Sequence, residues 1–207
     1  MSFAQQLSGT LPADMPGLFH PWRSACPHET GPGAQGRLGR LRRHLECDAR
    51  LVLVGEACGY QGCRYSGIPF TSERLLLEGT IPRMERPESR LSKRNLPFSE
   101  PSATIVWKTL FRLGLAEQAV LWNALPLHPH RPDSPWSNRT PTDRELALGA
   151  EALELVIRQY PKATVVAVGR KAELALRRLG LGFGAAVRHP ANGGATAFAA
   201  GLKEVCS

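Results

Sequence analysis

Four residues stand where they could do chemistry together. Glu56 follows the apolar run LVLVG (51–55), Asn123 closes AVLWN (119–123), His189 follows AAVR (185–188), and Phe70 ends the segment GIPF. A carboxylate can steady positive charge or hold a water. A side-chain amide offers a donor and an acceptor side by side, which matches the edge of a nucleobase. An imidazole can donate to a developing oxyanion, and an aromatic ring can stack on a planar one. Taken singly, each also has a structural reading: a solvated strand-end glutamate, a capped strand end, a histidine satisfied in the core, an aromatic anchor. Gly59 and Gly62, between Glu56 and Phe70, allow backbone to approach a ligand closely or permit a plain tight turn. They do not form the three-glycine dinucleotide fingerprint. His128 and His130 in LHPH have no Cys or carboxylate close in sequence and read as loop residues. Cys58 and Cys63 have no second cysteine pair, so no metal is expected.

The elements that must position these residues are legible as periodicity. GAQGRLGRLRRHLE (33–46) carries Leu38, Leu41 and Leu45 at helical spacing with arginines between them. Short helices are expected over 71–79 and 101–115, and a long one from the Thr142/Glu145 capping box to about Gln159. Helices are also expected over RKAELALRRLG (170–180) and AFAAGLKEVC (197–206). Apolar strands are read at 51–55, 119–127, 164–169 and 185–190. Strands that alternate with helices and are apolar almost throughout predict a three-layer α/β/α sandwich with a short, mainly parallel central sheet. Ligands in such folds bind at the carboxyl ends of the strands, which is where Glu56, Asn123, Gly169-Arg170 and His189 fall. Residues 1–32, rich in Pro, Gly and His, read as an irregular arm on a single domain spanning 1–207.

Composition narrows the class. The 207 residues are 43% hydrophobic and 21% charged, which excludes a disordered chain or a coiled coil. A net charge of +8 suits a polyanionic partner. The segment 80–100, with Arg83, Arg86, Arg90, Lys93 and Arg94, reads as an exposed, mobile loop able to meet phosphates. Five cysteines at irregular spacing make a poor disulfide framework and point to a reducing compartment. The opening MSFAQQLSGTLPADMPG does not read as a signal peptide, and no apolar stretch reaches the ~20 residues of a membrane span. A cytoplasmic monomer without membrane contact is the expectation.

The order of the motifs is more informative than any one of them. Gly55-Glu56-Ala57-Cys58-Gly59, Gly67-Ile68-Pro69-Phe70, the strand-end Asn123, Asn138-Arg139-Thr140-Pro141-Thr142 and His189-Pro190-Ala191 follow one another as in the uracil-DNA glycosylase superfamily. The chain resembles that superfamily over about residues 48–205 and is most similar to its thermostable, family 4 branch. The resemblance implies a DNA glycosylase of base excision repair that hydrolyses the N-glycosidic bond of a flipped uracil. Its partner would be uracil-containing DNA and its product free uracil. It further implies that Phe70 stacks on the base and Asn123 reads its O4 and N3 edge. The backbone of Gly55 and Ala57 would help bind it. His189 would hydrogen-bond O2 as charge builds, and Glu56 would act as base or electrostatic stabiliser. Arg139, Pro190, Ala191 and Asn192 would contact DNA. Cys58 stands where the branch has proline, and Gly62 where it often has a second acid. The four iron–sulfur cysteines of the branch are not reproduced, so no cofactor is expected. Three other readings stay open at this point. They are a glycosylase for another deaminated base, a DNA-binding member without turnover, and an unrelated α/β nucleotide-binding enzyme.

Overall fold

The computed structural model describes residues 1–13 and 15–206. Along them run α1 (Phe3–Gly9), β1 (Leu18–Phe19), α2 (Gly33–Leu45), β2 (Leu51–Ala57), α3 (Cys63–Ser66), α4 (Glu73–Leu77) and α5 (Pro101–Arg112). Then come β3 (Ala119–Leu125), β4 (His128–Pro129), α6 (Asp143–Leu148), α7 (Ala150–Gln159), β5 (Thr164–Val168), α8 (Arg170–Arg178), β6 (Ala185–Val187) and α9 (Ala195–Cys206). The central sheet has the order β3-β2-β5-β6 and all its pairings are parallel. The architecture is the α/β/α sandwich expected from the alternation of elements.

Period-two alternation divides the core into two layers. Val52 and Val54 of β2, Val120 and Trp122 of β3, and Val165 and Ala167 of β5 pack with Leu41, Leu153, Val156, Ala172 and Leu176 from α2, α7 and α8. The intervening Leu51, Leu53, Leu121, Val166 and Val168 pack with Leu75, Val106, Trp107, Leu110, Phe198 and Leu202 from α4, α5 and α9. Both faces of β2 and β3 and of most of β5 are covered, which is why these strands read as unbroken apolar runs, whereas Ala186 of the edge strand β6 is exposed.

The connection after β2 leads to β3 on one side, and the connection after β5 leads to β6 on the other. Their carboxyl ends therefore diverge at a topological switch point, where open α/β sheets leave a crevice.

Some elements differ from the sequence reading, for identifiable reasons. The helix expected to run unbroken from Thr142 breaks at Gly149, where a Cβ would overlap the Ala124 carbonyl of β3. The capping box at Thr142 and Glu145 forms as expected. The arm 1–32 is not irregular throughout. It opens with α1, and β1 pairs antiparallel with β4. Trp22 stacks on Trp122 at 5.6 Å and donates to the Gly67 carbonyl at 3.0 Å. Buried Arg37 ties the arm to α2 through the Pro21 and Ser24 carbonyls and Glu29.

The basic segment 80–100 is also held rather than free. The Glu73 carboxylate, fully buried, accepts from the backbone N–H groups of Leu91, Ser92 and Phe98, from the Ser92 hydroxyl and from Arg90. Arg83 turns inward to the carbonyls of His44, Glu117 and Ala119. Arg83 and Arg90 are therefore structural ties, and a sequence cannot show which arginines a buried carboxylate has claimed.

Candidate active site

Gly55 and Asn123 are register partners across the β2–β3 ladder. A Cβ on Gly55 would lie 2.5 Å from Phe70 Cζ and 2.6 Å from the end of the Asn123 amide. Only a glycine lets the ring and the amide approach the strand from two sides. Phe70 itself sits at φ 50°, a left-handed conformation rare for a bulky residue. The strain is held in place by its neighbours. Thr71 Oγ1 donates to the Pro69 carbonyl and accepts from Trp107 Nε1, each within 3.1 Å. Asn123 is buried, and its amide fits its surroundings when the oxygen accepts from the Cys58 N–H (3.3 Å) and the nitrogen donates to the Trp122 carbonyl (3.2 Å). That orientation is assigned from the hydrogen-bond network.

His189 completes the group. Its ring centroid is 6.1 Å from that of Phe70. A Cβ on Gly169, at the end of β5, would come within 3.2 Å of His189 Cβ, so the switch-point turn packs against the histidine. The N–H of Ala191 donates to His189 Nδ1 at 3.2 Å. With Nδ1 accepting, the ring proton belongs on Nε2. Burial lowers the pKa, which keeps the imidazole neutral and able to donate.

A cavity of about 1150 Å³ opens at this crevice. Glu56, Ala57, Arg139, His189, Ala191 and Asn192 line it. Gly55, Phe70, Asn123 and Pro190 are buried next to the wall residues and do not line it. The ten residues singled out from the sequence thus gather at the carboxyl ends of the strands.

Arg139 is differently employed from the expectation. Its guanidinium is bidentate on Glu145 and also donates to the carbonyls of His130 and Gly17. It holds the NRT loop in place rather than offering a free fork to phosphate. Arg188 and Arg170 line the same cavity.

Sequence reading missed Glu100. It precedes the first turn of α5 and lines the cavity with Glu56. A Cβ on Gly62 would overlap Glu100 Oε2. Its Oε1 accepts from the Ser102 hydroxyl at 2.9 Å. Burial raises the pKa of both carboxyls. Among the described residues neither forms an ion pair, although the charge of Lys171 partly offsets the effect at Glu56. The available signal was a Glu before Pro-Ser at a helix start, which reads as an ordinary first-turn acid.

His128, buried with its pKa lowered to about 3 by burial and by Arg64, is structural. Arg64 donates to its Nδ1 at 3.0 Å, and its Nε2 donates to the Ser137 carbonyl. Among the described residues no three His, Cys, Asp or Glu side chains converge as a metal site, and no helix is long and apolar enough to cross a membrane.

The fold has a counterpart among solved structures. The crystal structure of wild-type Pedobacter heparinus SMUG2 superposes with a TM-score of 0.63 at 19% identity, covering 99% of this chain and 98% of that one. No curated protein sequence matches the chain. The family model of the uracil DNA glycosylase superfamily matches residues 43–200, from the end of α2 into α9 and across every residue of the site, and the chain belongs to that superfamily.

Proposed function

We propose that the protein excises uracil from DNA, in base excision repair, by hydrolysis of the N-glycosidic bond. The observation that carries this reading is the approach of Phe70 and Asn123 to Gly55 from two sides, with His189 beside the ring. A planar base stacked on Phe70 would present its edge to the Asn123 amide. Uracil offers a carbonyl at O4 and an N–H at N3, which one amide can read as a pair.

The target nucleotide must first leave the stack, at a cost of a few kcal/mol recovered from pocket contacts. As the bond to C1′ lengthens, the sugar gains positive charge and the base becomes an anion. His189, neutral with its proton on Nε2, donates to O2 of that anion. Glu56 and Glu100 face the same cavity, where a carboxylate stabilises the sugar cation and accepts a proton from the attacking water. The water oxygen bonds to C1′ as the bond to the base nitrogen breaks, and uracil leaves as its anion, which takes up a proton from solvent as the carboxyl returns its own. Pro190–Asn192 and the cations Arg170 and Arg188 would meet the strand around the gap, a reading supported by Arg170, Arg188, Ala191 and Asn192 lining the cavity.

The test is release of free uracil from single- and double-stranded oligonucleotides, run beside substrates carrying hypoxanthine, xanthine and mismatched thymine. Release of uracil in preference to the others supports the reading. Release of another base alone moves the specificity, and no release at all overturns the activity.

A further inference from the structure

A second cleft of about 430 Å³ lies beside the first, and Gln61 lines both. Its neighbour Tyr60 is anchored by a backbone N–H donated to Asn138 Oδ1 at 3.0 Å, and Asn138 lines the first cavity. The cleft is built of aromatic rings. Tyr65 stacks on Phe98 at 4.7 Å, Tyr60 meets Phe98 edge-on at 5.9 Å, and Trp136 lies 4.2 Å from the His28 ring.

Trp136 is the informative member. It is 43% exposed, whereas Trp22, Trp107 and Trp122 are at most 3% exposed. Its orientation is nonetheless fixed, because Nε1 donates to the Tyr65 hydroxyl at 3.2 Å. An exposed indole held rigid is a platform whose ordering cost has already been met by the fold.

The charge around it is of one sign. Among the described residues Lys93 and Arg94 line the cleft and no carboxylate does. Arg94 lies 4.3 Å above the Phe98 ring, and Lys93 is positioned by a bond to the Pro27 carbonyl. Aromatic faces bordered by cations, next to a cavity able to take a nucleotide, match an unstacked base and its phosphate.

We propose that this cleft binds an unpaired nucleobase of the same strand, close to the target nucleotide, stacked on Trp136 with its phosphate against Lys93 and Arg94. The proposal rests on the glycosylase reading for what occupies the first cavity. It implies that the protein holds single-stranded or locally opened DNA more tightly than closed duplex.

The experiment is a tryptophan-fluorescence titration with single-stranded oligonucleotides that contain no uracil, so it does not depend on excision. Because the other three tryptophans are buried, quenching on binding is expected in the parent and absent from Trp136→Ala and Trp136→Phe. Affinity, read by anisotropy of a labelled strand, is expected to fall about tenfold or more in Trp136→Ala and to return to within about threefold of the parent in Trp136→Phe. Parent binding without quenching would overturn the proposal. So would Trp136→Ala binding as the parent does, or a closed duplex depending on Trp136 as strongly as the single strand. Absence of uracil release with these results intact would count against the excision reading and not against the cleft.

Discussion

The carboxyl of Glu100 occupies the space that a side chain on Gly62 would need. The two residues lie on different elements, one before α5 and the other before α3. A glycine three residues after the first motif thus makes room for an acid arriving from elsewhere in the chain. Glu56 and Glu100 both line the cavity without an ion pair among the described residues, beside Glu173, which is paired with Arg177, although the motif itself supplies only Glu56.

Glu100→Gln preserves shape and removes charge. Excision under single-turnover conditions is expected to slow by roughly 10²-fold, within the range for a positioned acid or base. Burial disfavours the ionised carboxyl, so removing the charge is expected to leave thermal stability at pH 7 equal to or above that of the parent. A destabilised Glu100→Gln with the parent rate would identify Glu100 as structural.

The acid limb of activity should reflect carboxyls rather than histidine. His189 has its pKa lowered from 6.5, so it stays neutral as pH falls through that value. Glu56 and Glu100 have theirs raised from 4.5, so they protonate, and their contribution is lost, at a higher pH than an ordinary glutamate. The acid limb of the pH–rate profile is expected to have its midpoint above 4.5, set by the carboxyls and not by protonation of His189. His189→Ala should lower the plateau and keep that limb, whereas Glu100→Gln should shift it.

Gly55→Ala tests the close approach at the centre of the site. The new methyl would meet both Phe70 and Asn123. A cost of about 1–3 kcal/mol in stability is expected from overpacking. Excision should fall far more, on the order of 10²-fold, because the ring and the amide can no longer hold their positions. Chemical denaturation and single-turnover rates check the two effects separately.

Glu73 governs the basic segment, and its test is one of stability. Hydrogen bonds from Ser92, Phe98 and Arg90 outweigh burial and lower its pKa. A lowered folded-state value stabilises the protein above the unfolded pKa, and this is lost as pH falls through the folded one. Glu73→Gln is expected to cost about 3 kcal/mol at pH 7. The difference from the parent should hold down to pH 4.5 and shrink below it, as followed by urea unfolding from neutral pH to well below that value.

The sheet was legible because its inner strands are buried on both faces, and unbroken apolar runs such as Leu51–Val54 and Val165–Val168 have few other readings. The site was legible as far as its residues stand at strand ends, as Glu56, Asn123 and His189 do. What stayed hidden depends on contacts between distant segments. Glu100 reaches the cavity across Gly62, Glu73 claims Arg90, and Glu145 claims Arg139. Periodicity reports which face a residue takes, and it does not report which partner it meets there. The close approach at Gly149 is of the same kind, since the Ala124 carbonyl that leaves no room there for a side chain comes from a distant strand.

The most direct measurement is single-turnover release of free uracil by the parent, Asn123→Asp and His189→Ala. The parent is expected to excise uracil. Asn123→Asp should lose that activity, with some gain toward cytosine, because the amide donor for O4 is replaced by an acceptor and a buried mismatch is costly. His189→Ala should be slower by roughly 10²–10³ with DNA affinity little changed. Equal rates for all three proteins would contradict the site, and a parent that releases no uracil would contradict the activity.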